Sequence, residues 1–98
     1  NLANDTLGTL IVTTAAGTGA SGDSTVTVAG NGSGTLKYQV GGQAVPVANG
    51  ETVDKSWTDL PANKTIKSAT TGATITVVEV NADGKAVAVG SGSVTAKA

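Results

Sequence analysis

From Leu7 onward the apolar residues come in short β-branched bursts, broken roughly every eight to twelve residues by Gly, Asn and Asp. That spacing predicts an all-β sandwich or barrel, and no stretch sustains a helical period. Ser24 to Val28 alternates with period two, so Val26 and Val28 should face a core and Thr25 and Thr27 water. Thr suits the wet side because its branched Cβ favours extended backbone. The same reading turns Leu36, Tyr38 and Val40 inward and Lys37 and Gln39 outward. Val45 and Val47 follow inward, on a strand that Pro46 confines to a sheet edge because it lacks an N–H for a central ladder. Between Ala73 and Val80 the phase changes: Val78 and Val80 point opposite to Ile75 and Val77, which calls for a bulge or for burial on both faces.

Val80 to Ala86 predicts a hairpin, with Gly84 supplying the positive φ of its turn. Val87, Val89, Val94 and Ala96 are expected inward beyond it. Ala15 to Asp23 is the most flexible-looking segment, and Asn31 to Gly34 and Gly90 to Gly92 look like shorter turns or bulges. Between Gly50 and Ala69 the pattern weakens to a loop around Trp57, Leu60 and Pro61, with one strand at Thr65 to Ala69. No fixed-period repeat supports a solenoid. The chain divides into an N-terminal arm or first-strand lead-in, residues 1–9, and one domain, residues 10–98.

Composition narrows the functions. The 98 residues are 39% hydrophobic and 13% charged, and include no His, Cys, Met, Phe or Arg. Average chains are about one-quarter charged, so Thr, Ser, Gly, Asn and Ala replace much of the usual ionic surface. Without cysteine there is neither a disulfide framework nor a thiolate metal site. A net charge of −1 lacks the clustered cations of a nucleic-acid binder or a polybasic membrane anchor. No apolar run reaches the roughly 18 residues of a spanning helix, and Asn1 to Asn4 does not open as a signal peptide, so the expectation is synthesis without export or a processed fragment. A core built mostly of Val and Ala predicts modest stability, for which association is one remedy.

Candidate chemistry is thin. No Ser/His or Cys/His nucleophile pair can be built. Glu51 and Asp54 are the closest to a carboxylate pair and read as a solvated loop. Gly17, Gly19 and Gly22 match G-x-G-x-x-G, but a strand follows where a phosphate cradle needs a helix. Asn81 to Gly84 lacks the later Glu of a calcium loop and reads as a turn. Tyr38 and Trp57 are the only aromatics. Trp57 is expected as a plug over one end of the sandwich, and would contact a partner only if exposed. No cofactor or metal is expected, and no catalytic residue is assigned.

Five segments in order carry a resemblance: Leu10 to Thr18, Ser24 to Val28, Leu36 to Val40, Ala69 to Ala86 and the closing Val94 to Lys97. Together they resemble small immunoglobulin-like modules of the structural and surface proteins of tailed bacteriophages and of bacterial surface proteins. The resemblance covers the chain from about Leu10 to the end and rests on order and spacing. It implies an immunoglobulin-like β-sandwich of about seven short antiparallel strands, and a non-enzymatic role in virion capsid decoration at the virion surface. The implied partner is a capsid or other virion protein, or further copies of the chain. Near-neutrality suits crowded assembly, since copies that each carry a large charge repel. The arm Asn1 to Thr6 could then pair with a neighbour's sheet edge, and Leu2, Leu7 and Trp57 are the candidate partner contacts.

Two alternatives compete. One is a bacterial cell-surface adhesive or carbohydrate-binding module, motivated by an exposed Trp57. The other is an extracellular filament subunit that donates Leu2 to Thr14 as a strand to the next copy.

Overall fold

The computed structural model describes residues 8–30, 34–44, 47, 50–53, 57–60, 64–67 and 69–98. Within them lie eight strands and no helix: β1 (Gly8–Thr9), β2 (Ile11–Ala16), β3 (Ser24–Ala29), β4 (Thr35–Gly41), β5 (Thr58–Asp59), β6 (Thr65–Ile66), β7 (Thr74–Val80) and β8 (Ala86–Ser93). They form a five-stranded sheet of order β1-β8-β7-β4-β5 and a three-stranded sheet of order β2-β3-β6. The all-β, two-sheet architecture read from the sequence is therefore present. Against the expected sandwich of about seven antiparallel strands there are eight among the described residues, and one detail differs: β1 runs parallel to β8. Gly8 and Thr9, at the end of the segment read as an arm or first-strand lead-in, are paired strand residues, while Leu2 and Leu7 lie outside the described residues.

The main core lies between the sheets. Leu10, Val12, Val26 and Ile66 meet Ile75, Val77, Ala88 and Val94, with Val28, Leu36 and Tyr38 packed around them. Val26 is buried and Thr27 exposed, as the alternation of β3 requires. Val40, expected inward, is 40% exposed at the far end of β4.

A second core covers the opposite face of the five-stranded sheet. Trp57, Val78, Val80 and Ala86 cluster there, with Val47, Val53 and Val89 against them. This resolves the phase change in β7: the strand is buried on both faces from Ile75 to Val80 and pairs with β4 on one side and β8 on the other. Such a central strand need not alternate, because neither face meets water, and even its Thr76 and Glu79 are buried. The cover also explains why Lys37 and Gln39, outward as expected, are half-buried.

The bulge falls on β8. Glu79 pairs with Ala88 and Val80 with Ala86, so Val87 is the extra residue. It changes part of the expected inward set: Val94 enters the main core as expected, but there Ala88 takes the place of Val87, while Ala86 and Val89 belong to the second core. Gly90 to Gly92, read as a turn or bulge, lies inside β8 instead. A Cβ at Gly90 would overlap the Leu10 carbonyl, and one at Gly92 would sit 2.5 Å from the Val12 oxygen. These glycines let the chain cross from β1 to β2 directly against β8.

The β7–β8 hairpin forms as predicted. Gly84 has φ 75°, and the Asn81 Oδ1 accepts from the Asp83 and Lys85 amides (2.9 and 3.1 Å). The strand expected over Thr65 to Ala69 shortens to Thr65–Ile66. Val45, Pro46 and Asp54, and with them the edge-strand reading and the carboxylate pair, lie outside the described residues.

Candidate functional site

From Leu10 to Ala15, into and along β2, the side chains alternate. Leu10 and Val12 enter the core, which leaves Ile11, Thr13 and Ala15 on the outer surface of the three-stranded sheet. In register beside them on β3 stand Ala29, Thr27 and Thr25, and Thr65 of β6 pairs with Thr25. The ladder between β2 and β3 runs unbroken over six residue pairs. Among the described residues of these strand pairs the result is a face of Thr and Ala without an ionisable group, on which Ile11 is 62% exposed. Exposed hydroxyls and methyls dehydrate cheaply compared with charged groups, so such a face suits contact with another protein surface. Sequence reasoning missed this face, although the same period-two count that buried Val26 would have put Ile11 outside.

At one margin of the face sits an ionic cluster. Asp23 is 3% exposed and pairs through Oδ2 with the Lys67 ammonium at 3.0 Å. The same oxygen accepts from the Ala20 amide, also at 3.0 Å. Lys67 therefore holds the Asp23 carboxyl below the usual carboxylate range; burial pushes it back up, and the Ala20 amide and the Lys97 charge add to the lowering. Around it the loop expected to be flexible is tied down: Gly17 donates to the Asp23 carbonyl and Asp23 to the Ala20 carbonyl. A Cβ at Gly17 would collide with Asp23, so the G-x-G-x-x-G match makes room for a carboxylate and not for a phosphate.

Three surface depressions border residues of the larger sheet. One of about 540 Å³ lies between β1, β8 and Ala44, and one of about 460 Å³ lies beside Glu79. The third, about 340 Å³, is bordered by Tyr38, Gln39, Thr58 and Lys67. Glu79 is buried and accepts from the Gly34 amide at 2.8 Å, which ties down the start of β4. Among the described residues no group of three or more acidic, His or Cys side chains could hold a metal.

No family model, curated protein or solved structure matches this chain.

Of the three candidate contact residues, Trp57 is the one the structure describes. Its contact role required an exposed ring; it is 9% exposed and packs in the second core, on the outer face of the five-stranded sheet. The reason is tertiary, since Val47, Val53 and Trp57, all between β4 and β5 in the chain, pack together against Val78 and Val80 of β7.

Proposed function

We propose that this is a non-enzymatic structural protein, a surface decoration module of a virion capsid built on an immunoglobulin-like sandwich. The strand order supports the fold reading: β2, β3 and β6 take the places of strands A, B and E, and β4, β7 and β8 those of C, F and G, with β5 beside β4. The disulfide and the strand-C tryptophan of antibody domains have no counterpart, since the chain has no cysteine and Trp57 packs on the outer face.

The observation that carries the functional reading is the uncharged Thr/Ala face with Ile11 exposed upon it. A lattice protein can bury such a face without desolvating a charge, and near-neutral copies can crowd without strong mutual repulsion. The adhesive alternative loses its motivating feature with the burial of Trp57. Donation of Leu2 to Thr14 is disfavoured because residues 8–14 complete this chain's own two sheets.

The test is co-sedimentation of the purified chain with phage capsids lacking it, beside insoluble host cell wall. Saturation on capsids at a copy number matching a lattice symmetry is expected, and its loss in Thr27→Lys would place the contact on this face. Binding to cell wall alone, or to neither, would overturn the reading.

A further inference from the structure

The uncharged face of the three-stranded sheet is small for a lasting protein contact. Its two long strands, β2 and β3, have six residues each. At about 3.3 Å per residue and roughly 4.8 Å between strands, they and β6 span a patch of about 20 Å by 10 to 15 Å. β6 does not fill the third row, since it is Thr65–Ile66 alone. Among the described residues three side chains on β2, three on β3 and one on β6 stand on the patch. One side of a stable interface takes roughly 20–30 residues and about 800 Å². The described face therefore supplies roughly a quarter to a third of what a lone copy needs.

Its side chains are also of a kind that binds weakly one at a time. Binding energy concentrates in a few large side chains, above all Trp, Tyr and Arg, seated in pockets of the partner. Here Ile11 is the one large side chain, and Thr13, Thr27 and Ala29 beside it bring methyls and hydroxyls. Without charge the face gains no electrostatic steering, so its encounters with a partner keep the slow rate set by orientation alone.

The borders of the face add little. Near the end of β2 the Thr14 Oγ1 donates to the Ser93 carbonyl at 2.6 Å and accepts from the Thr95 amide at 2.9 Å, so this flank is already engaged within the chain. On the other flank β6 offers a partner strand two residues to pair with. The Asp23 carboxylate at the margin is buried and already holds the Lys67 ammonium.

We infer that the face attaches by avidity: one copy holds weakly, and the unit that stays bound presents two or more such faces to a surface that repeats the same site. This rests on the capsid reading and adds the valency of the contact to it. A capsid lattice is such a repeating surface, and modules with a net charge of −1 can be joined closely without strong repulsion. Once one face is engaged, the next binds at the effective concentration its linkage sets, which raises affinity by roughly 10²–10⁴ without any new contact.

The test titrates the single chain, and two copies joined by a Gly/Ser linker, onto phage capsids lacking the protein. Linkers of about 20, 40 and 80 residues reach roughly 25, 35 and 50 Å, which covers a range of site spacings. The expected result is half-saturation by the best pair at a concentration about a hundredfold or more below that of the single chain. A pair carrying Thr27→Lys in one copy keeps two folded modules and one intact face, and should return to about the single-chain value. A single chain that half-saturates within about threefold of every pair would overturn avidity and leave the capsid reading in place. So would a one-face pair that binds as tightly as the two-face pair. Absence of binding by both forms would overturn the capsid reading, and avidity with it.

Discussion

At the scale of single residues, three positions matter more than their sequence context announces. Asp23 is the first. Its pKa is lowered in the folded chain, so the carboxylate contributes stability above its unfolded pKa of about 3.9, and that contribution is lost as pH falls through the folded value. The expected outcome is a melting temperature that drops on acidification below about pH 4, with a smaller drop in Asp23→Asn, read by circular dichroism across a pH series. Gly90 is the second. Gly90→Ala forces a Cβ into the Leu10 carbonyl and should destabilise the fold by roughly 1–3 kcal/mol in urea unfolding. Gly42→Ala, whose Cβ would meet nothing, should stay within about 0.5 kcal/mol of the parent. Trp57 is the third, and truncation to Ala should cost roughly 3–5 kcal/mol because it removes the largest side chain of the second core. An unchanged unfolding midpoint in Trp57→Ala would mean that the ring is not part of a core at all.

At the scale of elements, the strands that alternate were legible and the strands that do not were only half legible. β3 shows its buried Val26 and exposed Thr27 in five residues of sequence, because a sheet with one wet face imposes period two. β7 breaks that period, and sequence reasoning could offer only a bulge or double burial as explanations. Both occur, on different strands: β7 is buried twice over, and the bulge that adjusts the register sits across from it at Val87. The Gly90-Ser91-Gly92 run was misread because glycine in a sequence usually marks a turn, whereas here it marks the close approach of another backbone. The tail after β8 belongs to this scale as well. Val94 is 1% exposed and hydrogen-bonded on both amide and carbonyl to the Gly72–Ala73 turn. Deleting residues 94–98 should therefore cost at least roughly 1.5–3 kcal/mol, the value of burying one Val, where loss of a solvated end would cost almost nothing. Chemical denaturation of the truncated chain decides between the two.

At the scale of the whole molecule, the two sheets are joined along one side by the seam of residues 8–14 against 88–95, and the Thr/Ala face is the outer surface of the smaller sheet. Thr27→Lys and Ile11→Lys change exposed positions on that surface, so each should leave stability within about 0.5 kcal/mol while abolishing the proposed attachment to capsids. A parallel loss of folding would place those residues in the core instead. By itself the sequence determined the all-β class, the alternating strands, the hairpin at Gly84 and the want of charged chemistry, because these follow from local periodicity, turn geometry and composition. The second core around Trp57, the double burial of β7, the use of Gly90 and Gly92 as contact points and the burial of Asp23 were decided only by tertiary structure. Each depends on which distant segment lies against the residue, and a period of two records that a strand has two faces without recording what covers them.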